Sequence, residues 1–432
     1  MTARRIASLI LLLGFAAMLA MNAPGQLSYD SVSQLADGRA GHYNSWHPPV
    51  MAWLLGAFDH LLRGTLLFLI FQSALLLAAL LALLWLRPRG WPSVVLAAAI
   101  VLTPQWLLYQ GEIWKDILFT DAAIAAFAGL AIYGETRKMT ALIAAALLLT
   151  LAVSTRQNGL VLLPVAAATA GLIARRQSGS GWRLGLLFLV AVMVLSAGLN
   201  LGLASRTDGG DGASAQFRLG QTYDLAGALA REPNLTLPLG ADPRFDRLLR
   251  SRGRALYSPL HNDPMAADSA ISRALSEVPD SMVAAAWRTL VLNHPLLYVH
   301  VRWADFLAVV TTPDTMACHF AVVGVSGPPA TLKALGLKGG IRPQDQALAD
   351  YSKSFFGTPV FSHLMWGALA LILLVLLVRR GAPADLAMAG LLSGAFLFTI
   401  TFAIISIACD YRYLVLLDFS AMAAALYFVK KT

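Results

Sequence analysis

The sequence predicts an all-α polytopic membrane protein of about ten transmembrane helices, with interfacial helices in the first outer loop and a mainly helical outer-face domain. Three observations carry this. Of 432 residues, 57% are hydrophobic and only 13% charged. The apolar residues fall in blocks rather than amphipathic stripes, the pattern of an integral membrane protein. The Lys and Arg residues behind the net charge of +9 sit in pairs at the ends of these blocks, where topology determinants lie. That scatter also argues against a nucleic-acid partner.

A span needs roughly 20 apolar residues. The blocks that qualify run over 6–23, 65–86, 92–108, 117–134, 140–155, 158–174, 184–204, 358–378, 385–408 and 413–429. The first follows Met1 to Arg5 and has the outline of a signal peptide. The residues before Pro24 lack a small-x-small cleavage site and further spans follow, so a retained helix is expected. Arg4/Arg5, Arg87/Arg89, Arg137/Lys138, Arg175/Arg176/Arg183, Arg379/Arg380 and Lys430/Lys431 fall on alternate connections. Placing these on the cytoplasmic side makes both termini cytoplasmic and assigns the remaining connections to the outer, periplasm-like face of an inner membrane.

Three regions follow. Residues 1–204 form a transmembrane module with a first outer loop at 24–64 and a second at 109–116, 205–357 an extracytoplasmic domain, and 358–432 the closing spans. In the first loop, Asp30 to Ala40 is polar enough for a surface helix, with Asp30 near its start where a carboxylate suits the helix dipole. After His47-Pro48-Pro49, residues Trp53, Leu54, Ala57, Phe58, Leu61 and Leu62 recur at helical spacing over a run too short to span, which places it along the interface. The tandem prolines stiffen the start of that helix. Within 205–357, the stretches Pro279 to Leu292 and Pro295 to Val310 read as helices, with Trp287, Trp303 and Phe306 suited to the interface. Cys318 and Cys409 have no metal-ligand spacing; a bridge between them is open and not readable from sequence.

Five polar clusters fall on the outer side: Tyr29-Asp30, His47-Pro48-Pro49, Glu112 to Asp116, Arg156-Gln157-Asn158 and Asp410 to Tyr413. Loop ends are ordinary places for polar residues, and an acid beside a helix start is often only a cap. What points to a site is that all five share one face. A carboxylate there can take a proton from an acceptor hydroxyl while cations neutralise a phosphate leaving group. Asp30 is the candidate base, and Lys115, Arg156 and Arg412 are the phosphate candidates. His47 could hydrogen-bond its own loop, or join Asp30 and Glu112 around a divalent metal, although the three lack the spacing of a ligand motif. Tyr109 and Trp114 read as interface anchors, and Asp121 as a polar contact between helices.

The order of a first helix, Tyr29-Asp30-Ser31, His47-Pro48-Pro49 before an amphipathic helix, and an acidic second loop ending in Asp116 resembles the membrane-integral glycosyltransferases of the C-type fold. Among them it is most similar to the aminoarabinose and protein O-mannosyl transferases. The resemblance implies Asp30 as catalytic base, a second acidic position at Asp116 or Glu112, and donor recognition near Arg156, Asn158, Arg412 and Tyr413. Tyr29 and His47 would border the substrate. His47 stands where the nearer relatives usually carry Lys or Arg, and Asp410 is displaced by one from the family's acid before Arg-Tyr. The implied donor is a polyprenyl-phosphate sugar, with membrane lipids around it and a glycan, lipid or protein acceptor. Two other classes fit parts of the pattern. A flippase for a lipid-linked sugar would also need many spans, but polar groups at mid-depth and two repeated halves are not seen. An O-antigen ligase or polymerase would lean on loop arginines such as Arg288 and Arg302.

Overall fold

The computed structural model describes residues 2–178, 181–208, 210, 212–239 and 242–429; the expected basic anchors Lys430 and Lys431 lie outside them. These residues form helices joined by loops and isolated β-bridges, with no extended strand among them.

Seven helices are long and apolar enough to cross a membrane: Ala3–Asn22, Leu66–Leu86, Lys115–Thr136, Gln157–Gln177, Gly181–Ala204, His363–Arg380 and Pro383–Ile405. An eighth is reached if Pro92–Val101 and Pro104–Gly111, bent by 55°, count as one span. The bend falls where Pro104 supplies no amide proton and the Thr103 hydroxyl caps the new helix by accepting from the Trp106 amide. The expected count of about ten is thus not reached among the described residues. Block 140–155 becomes Met139–Thr155, of 17 residues. Block 413–429 opens with a 3₁₀ turn and leaves Val415–Phe428, of 14 residues, buried among other helices. An apolar block reports burial, and protein can supply that as well as lipid.

The chain divides into two compact units. The first comprises Met1–Gly210, Ala321–Thr399 and Leu414–Thr432. Its centre is Lys115–Thr136, buried along nearly its whole length and packed on Leu66–Leu86, Met139–Thr155 and Val415–Phe428. Small residues permit this closeness: a Cβ on Gly129 would stand 3.1 Å from that of Ala145.

The two helices expected in the first loop form as Tyr29–Ala40 and Pro49–Leu61. They cross at Gly38 and Gly56, where a Cβ on Gly38 would fall 2.1 Å from the Ala52 carbonyl oxygen. Residues 321–357 belong to this unit and are stitched to its first loop. The Leu27 amide donates to the Gly324 carbonyl at 2.9 Å, the Ser326 amide to the Leu27 carbonyl at 2.8 Å, and Gln26 Nε2 to Asp345 at 3.0 Å.

The second unit comprises Asp211–Phe320 and Ile400–Tyr413. Its core gathers Tyr223, Leu229, Phe245, Val283, Leu290 and Val301 from the helices Gly212–Arg231, Pro243–Leu248, Asp280–Asn293 and Pro295–Thr311. Segment 205–357 is therefore shared between the two units.

Candidate active site

The first and second loops are joined at their backbones. The Gln26 amide donates to the Gly111 carbonyl at 2.9 Å and the Ile113 amide to the Gln26 carbonyl at 3.0 Å. Two side chains repeat the join: Ser31 donates to the Ile113 carbonyl at 2.7 Å, and Trp114 Nε1 to the Ser28 hydroxyl at 2.9 Å. The start of Tyr29–Ala40, carrying Asp30 in its first turn, is thereby fixed beside the start of Lys115–Thr136, carrying Lys115 and Asp116.

His47 closes the arrangement. Lys115 Nζ lies 2.9 Å from His47 Nδ1, and His47 Nε2 lies 3.9 Å from an Asp30 carboxylate oxygen. An ammonium only donates, so when Lys115 carries its proton Nδ1 is the acceptor and Nε2 is the ring nitrogen that faces Asp30. The Asp30 side chain is 38% exposed and so open to a substrate hydroxyl, whereas that of Asp116 is 2% exposed.

One residue along from Lys115, Asp116 is ion-paired with Arg156. Arg156 Nε donates to Asn158 Oδ1 at 3.0 Å, and its guanidinium lies 5.1 Å from the centre of the Phe398 ring. It stands at the C-terminal cap of Met139–Thr155, where the helix dipole favours a cation. Six of the residues singled out from sequence, Asp30, His47, Lys115, Asp116, Arg156 and Asn158, are therefore linked through two adjacent groups. Phe398 was not expected; an apolar ring inside an apolar block gives no local signal.

Tyr29 is largely exposed. Glu112 is buried, and its backbone carbonyl accepts from Gln72 Nε2 at 2.9 Å. Among the described residues no three His, Cys, Asp or Glu side chains gather as a metal-holding group, so Asp30, His47 and Glu112 do not form the set left open by sequence. Glu112 is turned into the core. Tyr109 and Trp114 are core residues rather than interface anchors, with ring centres 6.2 Å apart and almost no exposure. Asp121 accepts from Gln110 Nε2 at 2.9 Å, the polar contact expected of it.

Arg412 and Tyr413 belong to the second unit. Arg412 Nε donates to Asp410 at 3.0 Å, and Tyr413 stacks on Phe402 with ring centres 5.3 Å apart. Asp410 also meets His319 Nδ1 at 2.9 Å. The pair is set in place by a disulfide between Cys318 and Cys409, the residues immediately before them.

The hydrogen bond to Asp410 lifts His319 above its ordinary value against the opposing effect of burial. Burial pushes the Asp410 carboxyl up, but the Arg412 charge and the His319 hydrogen bond outweigh it and hold it below the usual range. The sign follows. The His319 contribution is fully present below about 6.5 and lost as pH rises through its folded value; the Asp410 contribution is lost as pH falls through its own, below about 3.9. Amide-exchange protection of Ala408 to Tyr411 is expected to be highest between roughly pH 4 and 6.5 and to decline on the alkaline side. His319→Ala should remove that alkaline decline; a decline that persists in the variant would assign it to another group.

Comparison of the chain with protein-family models, with curated proteins and with solved structures finds no match.

Proposed function

We propose that this chain is a polyprenyl-phosphate-sugar-dependent glycosyltransferase, moving a sugar to a glycan, lipid or protein acceptor on the outer face of the membrane. The observation that supports this most is the junction of Asp30, His47 and Lys115 with Asp116, Arg156 and Asn158 at the ends of apolar helices. Asp30 takes the acceptor hydroxyl proton as that oxygen bonds to the anomeric carbon; the bond from that carbon to the phosphate oxygen breaks, and the polyprenyl phosphate departs as an anion. Single displacement inverts the anomeric centre. A phosphate already leaves well, so the protein need only stabilise its charge. Lys115, which meets His47 beside Asp30, and Arg156, ion-paired with Asp116, are the cations assigned to that charge.

The side of the membrane is supported by two independent features. Basic pairs alternate along the connections. The Cys318–Cys409 disulfide suits an oxidising compartment such as a periplasm. A ten-span topology with cytoplasmic termini meets both, counting Met139–Thr155 and Val415–Phe428 as short spans shielded by protein.

The test is transfer from a panel of radiolabelled polyprenyl-phosphate sugars in membranes that contain the protein. Label leaving the lipid carrier for a water-soluble or larger acceptor is the expected outcome and names the donor. Label that crosses the bilayer yet stays on its carrier would replace this reading with a flippase.

A further inference from the structure

A cavity of about 280 Å³ lies at the other end of the helix Tyr29–Ala40, between it and Pro49–Leu61. Arg39 lies nine positions after Asp30, so at 1.5 Å per residue this cavity is about 14 Å along the helix from the candidate base. Three arginines from distant parts of the sequence line it: Arg39, Arg63 and Arg206.

Their placement is built by the fold. Buried Asp59 holds Arg39 through Nε at 2.9 Å and Nη2 at 2.6 Å, and Arg63 through Nη1 at 2.7 Å. Arg206 arrives because its carbonyl accepts from the Tyr43 amide at 2.8 Å and the Asp208 amide donates to the Tyr43 carbonyl at 2.9 Å. Three guanidinium cations against one carboxylate leave two positive charges uncompensated in the lining. Aromatic surface comes from Tyr43 and the partly exposed Trp53.

The surroundings are those of an amphiphile. Arg63 stands three residues before Leu66, where the apolar helix Leu66–Leu86 begins, so the chain can carry it no more than about 11 Å from that helix. Leu61 and Leu62, next to the lining residues His60 and Arg63, are 74% and 47% exposed. Cations just outside a hydrocarbon edge, with apolar side chains beside them, match a phosphate headgroup and the acyl chains below it.

We propose that this cavity is a binding site for the phosphate of an anionic phospholipid headgroup, separate from the candidate active site and independent of the reaction assigned there. The test is native mass spectrometry of the full chain in detergent, titrated with phosphatidylglycerol and, separately, with inorganic phosphate. The variants are Arg206→Gln alone and Arg63→Gln with Arg206→Gln. Arg206 is exposed and takes no part in the Asp59 pair, so the single variant remains informative should the double one disturb the loop. Arg379→Gln, at an exposed basic position elsewhere in the same unit, is the control.

Wild type and control are expected to retain phosphatidylglycerol, with affinity falling several-fold in the single variant and about tenfold or more in the double. Inorganic phosphate that binds with this arginine dependence while phosphatidylglycerol does not would overturn the lipid source. Retention that ignores both substitutions would overturn the site.

Discussion

Asp30→Asn is expected to lower sugar transfer by about 10²- to 10⁴-fold, the range lost when a general base is removed. The exchange keeps size and most hydrogen-bonding capacity but removes the ability to take a proton. It is also mild for the fold. Asp30 is partly exposed in the first turn of Tyr29–Ala40, where losing a carboxylate costs a few tenths of a kcal/mol to about 1 kcal/mol of dipole interaction. The measurement is the single-turnover rate with saturating donor, alongside expression level and detergent stability. The loss should fall on the chemical step rather than on donor affinity, because the phosphate is assigned to Lys115 and Arg156. Transfer at the wild-type rate by a well-folded Asp30→Asn protein would remove Asp30 from the mechanism. Asp116 offers the contrast: its replacement removes a buried counter-charge from the buried Arg156, so Asp116→Asn should damage stability and transfer together.

Asp30, His47, Lys115, Asp116, Arg156 and Asn158, which the fold links in two adjacent groups, could be singled out in the sequence because polar residues at the ends of alternate apolar blocks are expected on one side. Which of them faces substrate was not legible. Glu112 lies three residues from Lys115 and looks equivalent in sequence, yet it is buried, because the Gln26–Glu112 bridge turns that stretch inward. Tyr109 and Trp114 were misplaced for the same reason: aromatic residues at a loop end read as interface anchors until the loop itself is found to be core.

Helix existence was read well, while length was not. Nothing in the block 413–429 announces that its first turn is 3₁₀, or that the rest is buried by protein. The attachment of residues 321–357 to the first loop rests on isolated bridges and single side chains such as Gln26 to Asp345, separated by some three hundred positions. Such links leave no periodicity to detect. The disulfide was open in sequence because two cysteines fix a pairing only when geometry brings them together.

Arg302 separates the proposed transferase from enzymes that rely on loop arginines, and its replacement carries the second large expected effect. In sequence it was one of the loop arginines that a ligase-like enzyme would lean on. In the fold, Arg302 Nε and Nη2 each lie 2.8 Å from an oxygen of the fully buried Asp224, and Nη1 donates to the Ser406 carbonyl at 2.7 Å. Trp287 Nε1 adds a third donor to Asp224 at 2.7 Å. Breaking a buried pair by removing one member costs about 3–5 kcal/mol, so Arg302→Gln should destabilise the second unit by that order.

The pH dependence supplies the sharper signature. Burial pushes the Asp224 carboxyl up to about 6 even against the pull of Arg302 and Trp287. Without the guanidinium it should rise further. The folded variant then holds a proton that the unfolded chain releases near 3.9, so its stability declines as pH increases through neutrality. Asp305, pushed up to about 7 by burial and held down in part by the Arg302 charge 3.8 Å away, should rise as well in the variant and add to the same decline. Amide exchange in Gly212–Arg231, followed at pH 5 and pH 8, should show a deficit in Arg302→Gln that is larger at pH 8. Unchanged protection with lost transfer would instead identify Arg302 as a substrate-binding residue and favour the ligase-like chemistry over the Asp30 mechanism.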